Sequence, residues 1–147
     1  MVELRQKKVD DIAKDIPDLE VIGEQEGDLL LLSWGSTYGA AKTAVDNLRA
    51  SGHKLSFANL RYLNPFPKNL ADVLHKFDRV VIPELNLGQL KNLIQAKYLK
   101  RIIGINKVQG KPFKSVELEE KIKLLLTMTN IKTWDETKSS LNIPVDL

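Results

Sequence analysis

The sequence contains no cysteine, and only two of its 147 residues are histidine. Disulfides, cysteine-bound zinc, iron–sulfur ligation and thiol nucleophiles are therefore excluded within this chain. An enzyme that needs iron–sulfur clusters would have to hold them elsewhere. His53 and His75 lie far apart, in predicted polar or helix-end positions. They indicate neither a metal site nor a catalytic triad.

Long hydrophobic runs and blocks of one charge are also lacking. No apolar stretch approaches the roughly 20 residues of a membrane span, and the first 20 residues are charged rather than signal-like. The expectations are a cytoplasmic location and no membrane partner. The 22 basic and 19 acidic residues are interspersed and give a net charge of +3. Nucleic-acid binders cluster Lys and Arg beside a reading element, so no nucleic-acid partner is expected.

The chain divides into three predicted parts. Residues 1–18 form a linker helix whose apolar face ends at Pro17, residues 19–129 form one domain, and residues 130–147 form an irregular tail. A chain of this length is large enough for an independent core.

Strands and helices alternate through the central part. Short apolar runs bounded by turn residues predict strands, and apolar residues at helical spacing predict helices between them. Pro67 is expected to start a helix that carries Phe77 on its apolar face, and Ser115 is expected to cap the last helix. This alternation predicts parallel βαβ units and an α/β sandwich. The predicted strands are Leu19–Ile22, Asp28–Ser33, Leu55–Leu60, Arg79–Pro83 and Ile102–Ile105.

Ligands of open α/β sheets bind at the carboxyl ends of the strands, and the first such stretch holds Gly35, Ser36 and Thr37. Glycine allows close approach of a ligand, and a helix N-terminus favours an anion. The stretch lacks both the dinucleotide-binding and the phosphate-loop spacing. Ser36 or Thr37 acting as a plain helix cap explains the pattern equally well.

The second stretch contains Arg61, Tyr62 and Phe66 in a loop stiffened by two prolines. Exposed aromatics beside an arginine suit a protein interface. The alternative is that Tyr62 and Phe66 cover the edge of the core. Both alternatives stay open.

The third stretch contains Glu84, Asn86, Gly88 and Gln89. A carboxylate at a strand end can act as an acid or base when burial raises its pKa. No histidine, cysteine or second carboxylate accompanies Glu84 in sequence, so catalysis by this domain alone is not expected. The structural alternative is a turn in which Asn86 caps the next helix and Glu84 lies in a hydrogen-bonded loop.

The fourth stretch runs from Asn106 to Phe113 and contains two available cations, Lys107 and Lys111. We expect surface or interface roles for them rather than catalysis. No metal ligand is predicted anywhere in the chain.

These four stretches, in this order and spacing, resemble the C-terminal part of 2-oxoglutarate (2-oxoacid):ferredoxin oxidoreductase α subunits. The similarity covers about Val2 to Lys123, and Asn64 departs from the aromatic residue usual at its position. The motifs that carry it are Trp34-Gly35-Ser36-Thr37-Tyr38-Gly39, Leu60-Arg61-Tyr62-Leu63-x-Pro65-Phe66-Pro67, Glu84-x-Asn86-x-Gly88-Gln89-Leu90 and Asn106-Lys107-x-x-Gly110-x-Pro112-Phe113.

The resemblance implies a fold like the C-terminal domain of transketolase: a three-layer α/β/α sandwich around five mostly parallel strands. Leu19–Ile22 would be the one antiparallel edge strand. The implied holoenzyme oxidatively decarboxylates a 2-oxoacid to acyl-coenzyme A and reduces ferredoxin, using thiamine diphosphate, magnesium and iron–sulfur clusters.

None of these cofactors is expected to bind this domain alone, and no catalytic residue is carried onto it. The implied partners are the remainder of the α subunit, the β subunit and, through the holoenzyme, ferredoxin. The four stretches would be interface or ligand-facing loops. Two alternatives remain: a stand-alone module that binds a nucleotide or other anion at Gly35–Thr37, and the equivalent domain of a transketolase or a 2-oxoacid dehydrogenase E1 component.

Overall fold

In a computed structural model of the chain, residues 15–63, 65–85, 88–107, 111–127 and 145–146 are described. Ten regular elements and one 3-10 turn lie within these ranges. The strands are β1 (Val21–Ile22), β2 (Gly27–Trp34), β3 (Ser56–Leu60), β4 (Phe77–Glu84), β5 (Ile102–Asn106) and β6 (Val145–Asp146). The helices are α1 (Tyr38–Ala50), α2 (Leu70–His75), α3 (Gln89–Tyr98) and α4 (Ser115–Leu126), and the turn is Gly35–Thr37.

The strands form one sheet in the order β1-β3-β2-β4-β5-β6. The four inner strands are parallel, while β1 and β6 are antiparallel to their neighbours. The mostly parallel sheet with β1 as an antiparallel edge strand is therefore confirmed. β6 adds a second antiparallel edge of two residues, inside the tail that was predicted to be irregular.

The four consecutive leucines of β2 explain why this strand lies at the centre. Successive side chains of a strand point to opposite faces. Leu30 and Leu32 pack with α2 and α3, whereas Leu29 and Leu31 pack with α1 and α4. All four are buried, and full burial of a leucine contributes about 1.5–3 kcal/mol. A run of apolar residues that does not alternate with polar ones thus predicts a strand covered by helices on both faces. The three layers of the fold are as expected.

Three local expectations are wrong. The helix that Pro67 was expected to start begins at Leu70. Phe77 begins β4 and does not continue this helix, which ends at His75. Ser115 is the first residue of α4, and the capping position before it is held by Lys114, without a side-chain cap. All three errors concern element ends, which depend on tertiary contacts. Gly52 lies two residues past the end of α1 in the left-handed conformation, with φ of +94°.

The predicted linker helix, residues 1–18, falls outside the described residues except for its last four positions, Asp15 to Asp18, which are not helical. Most of the predicted tail lies outside them as well. No helix within the described ranges is long and apolar enough to cross a membrane.

Candidate functional site at the carboxyl edge of the sheet

The loops that follow β2, β3, β4 and β5 meet at one edge of the sheet, here named the carboxyl edge. The chain leaves β2 toward β3 on one side and β4 toward β5 on the other, so strand order reverses between β2 and β4. Such a reversal opens the crevice in which open α/β sheets bind ligands. The described residues of all four predicted stretches therefore belong to the same edge.

After β2, the backbone turns through Gly35, whose φ is +60°. Nothing lies within 4 Å of a Cβ built there, so glycine is required for its dihedral angle and not for space. The hydroxyl of Thr37 donates to the carbonyl of Trp34 at 2.8 Å and lies 3.4 Å from the Trp34 N–H. Thr37 is buried and occupies the N-cap position of α1, as one of the two predicted cap residues, but its side chain forms no cap hydrogen bond to the helix. Gly35 and Ser36 are exposed.

After β3, the two aromatic residues of the loop separate. Phe66 is 6% exposed and packs in the core against the ring of Tyr98, with 5.9 Å between centroids. The ammonium of Lys97 lies 5.2 Å from the Phe66 ring centroid and adds a cation–π contact. Tyr62 is 45% exposed, and Arg61 is exposed beside it. Phe66 therefore covers the edge of the core, whereas Tyr62 lies at the surface, where it is available for an interface.

At the end of β4, Glu84 is 1% exposed. Its carboxylate accepts hydrogen bonds from the backbone N–H groups of Leu90 at 2.9 Å and Lys91 at 3.2 Å. These groups belong to the first turn of α3, where N–H groups lack partners within the helix. A carboxylate there also interacts favourably with the helix dipole. Glu84 is thus a tertiary cap of α3, and not a loop carboxylate facing a ligand.

Gly88, which precedes α3, is buried with φ of +89°, while Gln89 is exposed. Asn86, the predicted cap of this helix, lies outside the described residues.

Lys107, which follows β5, contacts three residues of the segment that leads into α4 and of its first turn. Its ammonium donates to both carboxylate oxygens of Glu117, at 2.9 and 2.8 Å, and to the carbonyl of Pro112. It also lies 5.8 Å from the centroid of the Phe113 ring. The hydrogen bond from Lys107 lowers the pKa of Glu117 below its ordinary value of 4.5. The expectation that Lys107 is an available cation is therefore wrong: it closes the loop onto α4.

Asn106 lies opposite Glu84 in the β4–β5 register. Its Oδ1 atom is buried and accepts no hydrogen bond from any described residue. The N–H of Lys107 donates to the backbone carbonyl of Glu84 at 2.9 Å, which ties the two strand ends together.

A cleft of about 300 Å³ opens beside β3, on the side away from the reversal point. β1 pairs with β3 only through Val21 and Ile22. Just before β1, the side-chain amide of Asn69 makes two hydrogen bonds to the backbone of Leu19. Its Oδ1 accepts from the Leu19 N–H at 2.7 Å, and its Nδ2 donates to the Leu19 carbonyl at 3.0 Å. This bidentate contact anchors the segment that leads into β1, and Pro17, Asp18, Leu19 and Glu20 of that segment line the cleft. The lining residues are Pro17, Asp18, Leu19, Glu20, Ile22, Tyr38, Phe57, Asn59, Arg61, Tyr62 and Pro67.

Sequence reasoning missed three polar residues that organise this edge and the opposite one. Asn69 and Asn59 carry no motif signal, and their roles depend on partners distant in sequence. Arg79 lies near the start of the apolar strand β4. A charged residue within an apolar strand is a weak sequence signal of a buried ion pair. Arg79 is 5% exposed and forms a bidentate pair with Asp28 while also donating to the carbonyl of Leu125.

The predicted residues therefore fall into two groups. The exposed ones are Gly35, Ser36, Arg61, Tyr62 and Gln89, and those buried or engaged within the domain are Thr37, Phe66, Glu84, Gly88 and Lys107. Asn106 is half-buried. No group of three or more potential metal-ligating side chains occurs among the residues that the structure describes.

Comparison with known proteins agrees with this architecture. Residues 27–119 match the family of pyruvate:ferredoxin oxidoreductase core domain II. The 2-oxoglutarate oxidoreductase subunit KorA of Mycobacterium tuberculosis is 47% identical over 128 residues, which are 86% of this chain and 19% of that protein. The chain spans about a fifth of the length of the curated relatives it matches most strongly.

Two solved structures are similar in fold. The first is the 2-oxoglutarate:ferredoxin oxidoreductase from Magnetococcus marinus, with a TM-score of 0.74 and 28% identity over 80% of this chain and 21% of that one. A split-gene transketolase matches with a TM-score of 0.54 and 18% identity over 76% of this chain and 42% of that one, which shows the transketolase-like fold alone. The chain belongs to the family of pyruvate:ferredoxin oxidoreductase core domain II, found in the α subunits of 2-oxoacid:ferredoxin oxidoreductases.

Proposed function

We propose that this chain is the structural and subunit-interface domain of a 2-oxoacid:ferredoxin oxidoreductase, with no catalysis of its own. The observation that supports the absence of catalysis is the position of Glu84. The one carboxylate that the sequence places at a strand end near the reversal point uses both oxygens to cap α3. It is therefore committed to the fold and is not available to abstract or deliver a proton.

The holoenzyme activity follows from the relatives. Their names include 2-oxoglutarate oxidoreductase and 2-oxoacid:ferredoxin oxidoreductase, and one solved relative binds 2-oxoglutarate, coenzyme A and succinyl-CoA. We infer oxidative decarboxylation of a 2-oxoacid, with 2-oxoglutarate first among the substrates, coupled to acyl-CoA formation and reduction of ferredoxin. The holoenzyme would act in the cytoplasm.

The metal cofactors implied for that reaction do not fit this domain. Iron–sulfur clusters need cysteine thiolates, and the sequence has none. Magnesium needs a set of oxygen ligands, and no acidic cluster is present among the described residues. Magnesium and the clusters would therefore be held by the rest of the α subunit or by the β subunit, and thiamine diphosphate would bind there with its magnesium.

The exposed part of the carboxyl edge is the proposed contact surface. Tyr62 and Arg61 combine an amphipathic ring with a guanidinium, the residue types enriched in interface hot spots. Arg61 forms no ion pair or hydrogen bond with any other described residue. Gly35, Ser36 and Gln89 extend the same surface toward the reversal point.

The test is charge reversal in the assembled enzyme. Arg61→Glu combined with Tyr62→Ser removes the proposed anchors, and Lys123→Glu on the exposed side of α4 is the matched control. Sedimentation of the purified enzyme should show dissociated subunits for the double variant only. Full assembly and unchanged activity of the double variant would contradict the proposal.

The anion-binding alternative at Gly35–Thr37 is less well supported. Its hydroxyl donor, Thr37, already bonds to Trp34. A thermal-shift screen against nucleotides and phosphate separates the two functions, because a ligand at 100 times its dissociation constant adds about 2.7 kcal/mol of stability.

A further inference from the structure

We propose that the cleft beside β3 binds a small zwitterionic molecule with an aromatic or branched apolar body, such as an amino acid. This inference goes beyond the proposed function and does not depend on it. The cleft has about 300 Å³ of space. That is room for about ten water molecules at roughly 30 Å³ each, which is the small end of ligand pockets.

The charges of the two walls are opposite and do not neutralise each other. Arg61 stands at the end of β3 on one wall, and Asp18 and Glu20 stand on the segment that leads into β1 on the other. None of the three forms an ion pair with a described residue. A ligand with a carboxylate at one end and an ammonium at the other would bridge the walls. A dianion would be repelled by the acidic wall.

Between the charged groups the lining is apolar and aromatic. Ile22, Tyr38 and Tyr62 are 39%, 43% and 45% exposed, so three of the exposed large hydrophobic residues of the described chain converge on this one cleft. The ring of Tyr38 is held against buried Phe57, with 6.0 Å between centroids. Such a surface favours a ligand with an apolar body that removes these side chains from water.

One polar group of the lining is already oriented. The hydroxyl of buried Ser33 donates to Oδ1 of Asn59 at 2.9 Å. This bond fixes the amide so that its NH₂ group is the remaining donor at the cleft. Asn59 of β3 and Arg61, which follows the strand, both line the cleft, so both can provide donors for one carboxylate.

The boundary between domains is a common place for ligand sites. The cleft opens at the same carboxyl edge that we propose as a contact surface. A ligand there would be covered further when the edge meets its partner. Binding to this chain alone is nevertheless measurable, because every group named above belongs to it.

The experiment uses three probes of similar size on the 147-residue chain. Phenylalanine carries both charges, 3-phenylpropionate only the carboxylate, and phenethylamine only the ammonium. Titration is followed by the amide NMR signals of Phe57, Asn59 and Tyr62, with the Asn59 side-chain NH₂ as the most direct reporter. Phenylalanine should bind in the millimolar range and about tenfold more tightly than either half-charged probe.

Two variants assign the charges separately. Arg61→Met should weaken phenylalanine and phenylpropionate about tenfold and leave phenethylamine unchanged. The Asp18→Asn/Glu20→Gln double variant should weaken phenylalanine and phenethylamine and leave phenylpropionate unchanged. Lys123→Met is the control that should change nothing. Unperturbed signals elsewhere in each spectrum establish that the fold is kept.

The proposal is overturned if none of the probes shifts the cleft signals at tens of millimolar, or if the three probes bind equally. It is also overturned if an acidic peptide binds the cleft while phenylalanine does not, since that outcome makes the cleft a polypeptide contact. Failure of the small molecules to bind leaves the proposed contact surface at Arg61 and Tyr62 standing, and peptide binding would support that surface. The proposed function has its own test in the sedimentation of the assembled enzyme.

Discussion

The carboxylate of Glu84, the last residue of β4, lies 2.9 Å from the backbone N–H of Leu90 in the first turn of α3. A strand and the helix that follows it are thus joined by a side chain that spans the connecting loop. The bond is buried, so its loss leaves helix N–H groups without either a protein or a water partner. The geometry of the carboxyl edge around the reversal point depends on this contact.

The first prediction concerns this cap. Glu84→Ala should lower the free energy of unfolding by about 2–3 kcal/mol, because two buried N–H groups lose their acceptor and the helix dipole loses its counter-charge. Glu84→Gln keeps one acceptor oxygen and should cost about 1 kcal/mol. Urea unfolding measures both, with exposed Glu120→Gln as the control. Surface substitutions usually change the free energy of unfolding by less than about 0.5 kcal/mol. A decrease no larger than that in the alanine variant would contradict the role of Glu84 as a helix cap.

The second prediction concerns the ion pair that closes the β5–α4 loop. Lys107→Met should cost on the order of 1 kcal/mol at pH 7. Because the pKa of Glu117 is lowered in the folded chain, its contribution is fully present above the ordinary value of 4.5. That contribution is lost as pH falls through the lower folded value.

The stability difference between wild type and Lys107→Met should therefore shrink in acid. Urea unfolding at pH 7 and pH 3, with exposed Lys123→Met alongside, tests it. A difference that stays constant with pH would show that Lys107 acts through packing on Phe113 and not through the pair.

The third prediction concerns the opposite edge of the sheet. Arg79 pairs with both carboxylate oxygens of Asp28 and also bonds the end of α4. Arg79→Lys cannot reproduce the fork geometry and should cost roughly 2–4 kcal/mol. Asp28→Asn, at a side chain that is 53% exposed, should cost about 1 kcal/mol. Thermal unfolding distinguishes the two, and equal losses would mean that the Leu125 contact contributes little.

The fourth prediction has the opposite sign. Leu99 ends α3 in the left-handed conformation, with φ of 54°, while its side chain is 90% exposed. Leu99→Gly should stabilise the chain by about 0.5–1 kcal/mol, because glycine adopts this conformation without strain. Leu93→Gly, also at an exposed leucine but inside α3, should destabilise it by about 1 kcal/mol. A loss of stability in both variants would show that Leu99 makes a contact that outweighs its strain.

The sequence predicted the architecture well because burial on both faces leaves a simple pattern. The leucine run of β2 and the apolar run of β4 identify central strands without any knowledge of their partners. The short separate segment Leu19–Ile22 was likewise identified as an edge strand through the family resemblance, and its last two residues form β1.

Side-chain roles at the carboxyl edge were less predictable. Glu84 and Lys107 are charged residues of types that usually lie at the surface. Glu84 is buried and Lys107 is half-buried because α3 and α4 lie against the strand ends. Asn69 holds Leu19 across 50 positions of sequence. Contacts of that range leave no local pattern, and the cleft beside β3, which combines residues from Pro17 to Pro67, was not predicted for the same reason.

The central claim is that this domain works inside a larger oxidoreductase. The most direct measurement is purification of the native particle from cells with an antibody against this domain, followed by assay of ferredoxin reduction. The account predicts a particle several times heavier than 16.6 kDa that reduces ferredoxin only when a 2-oxoacid and coenzyme A are both supplied. A 16.6 kDa chain that purifies alone, without such activity, would contradict it.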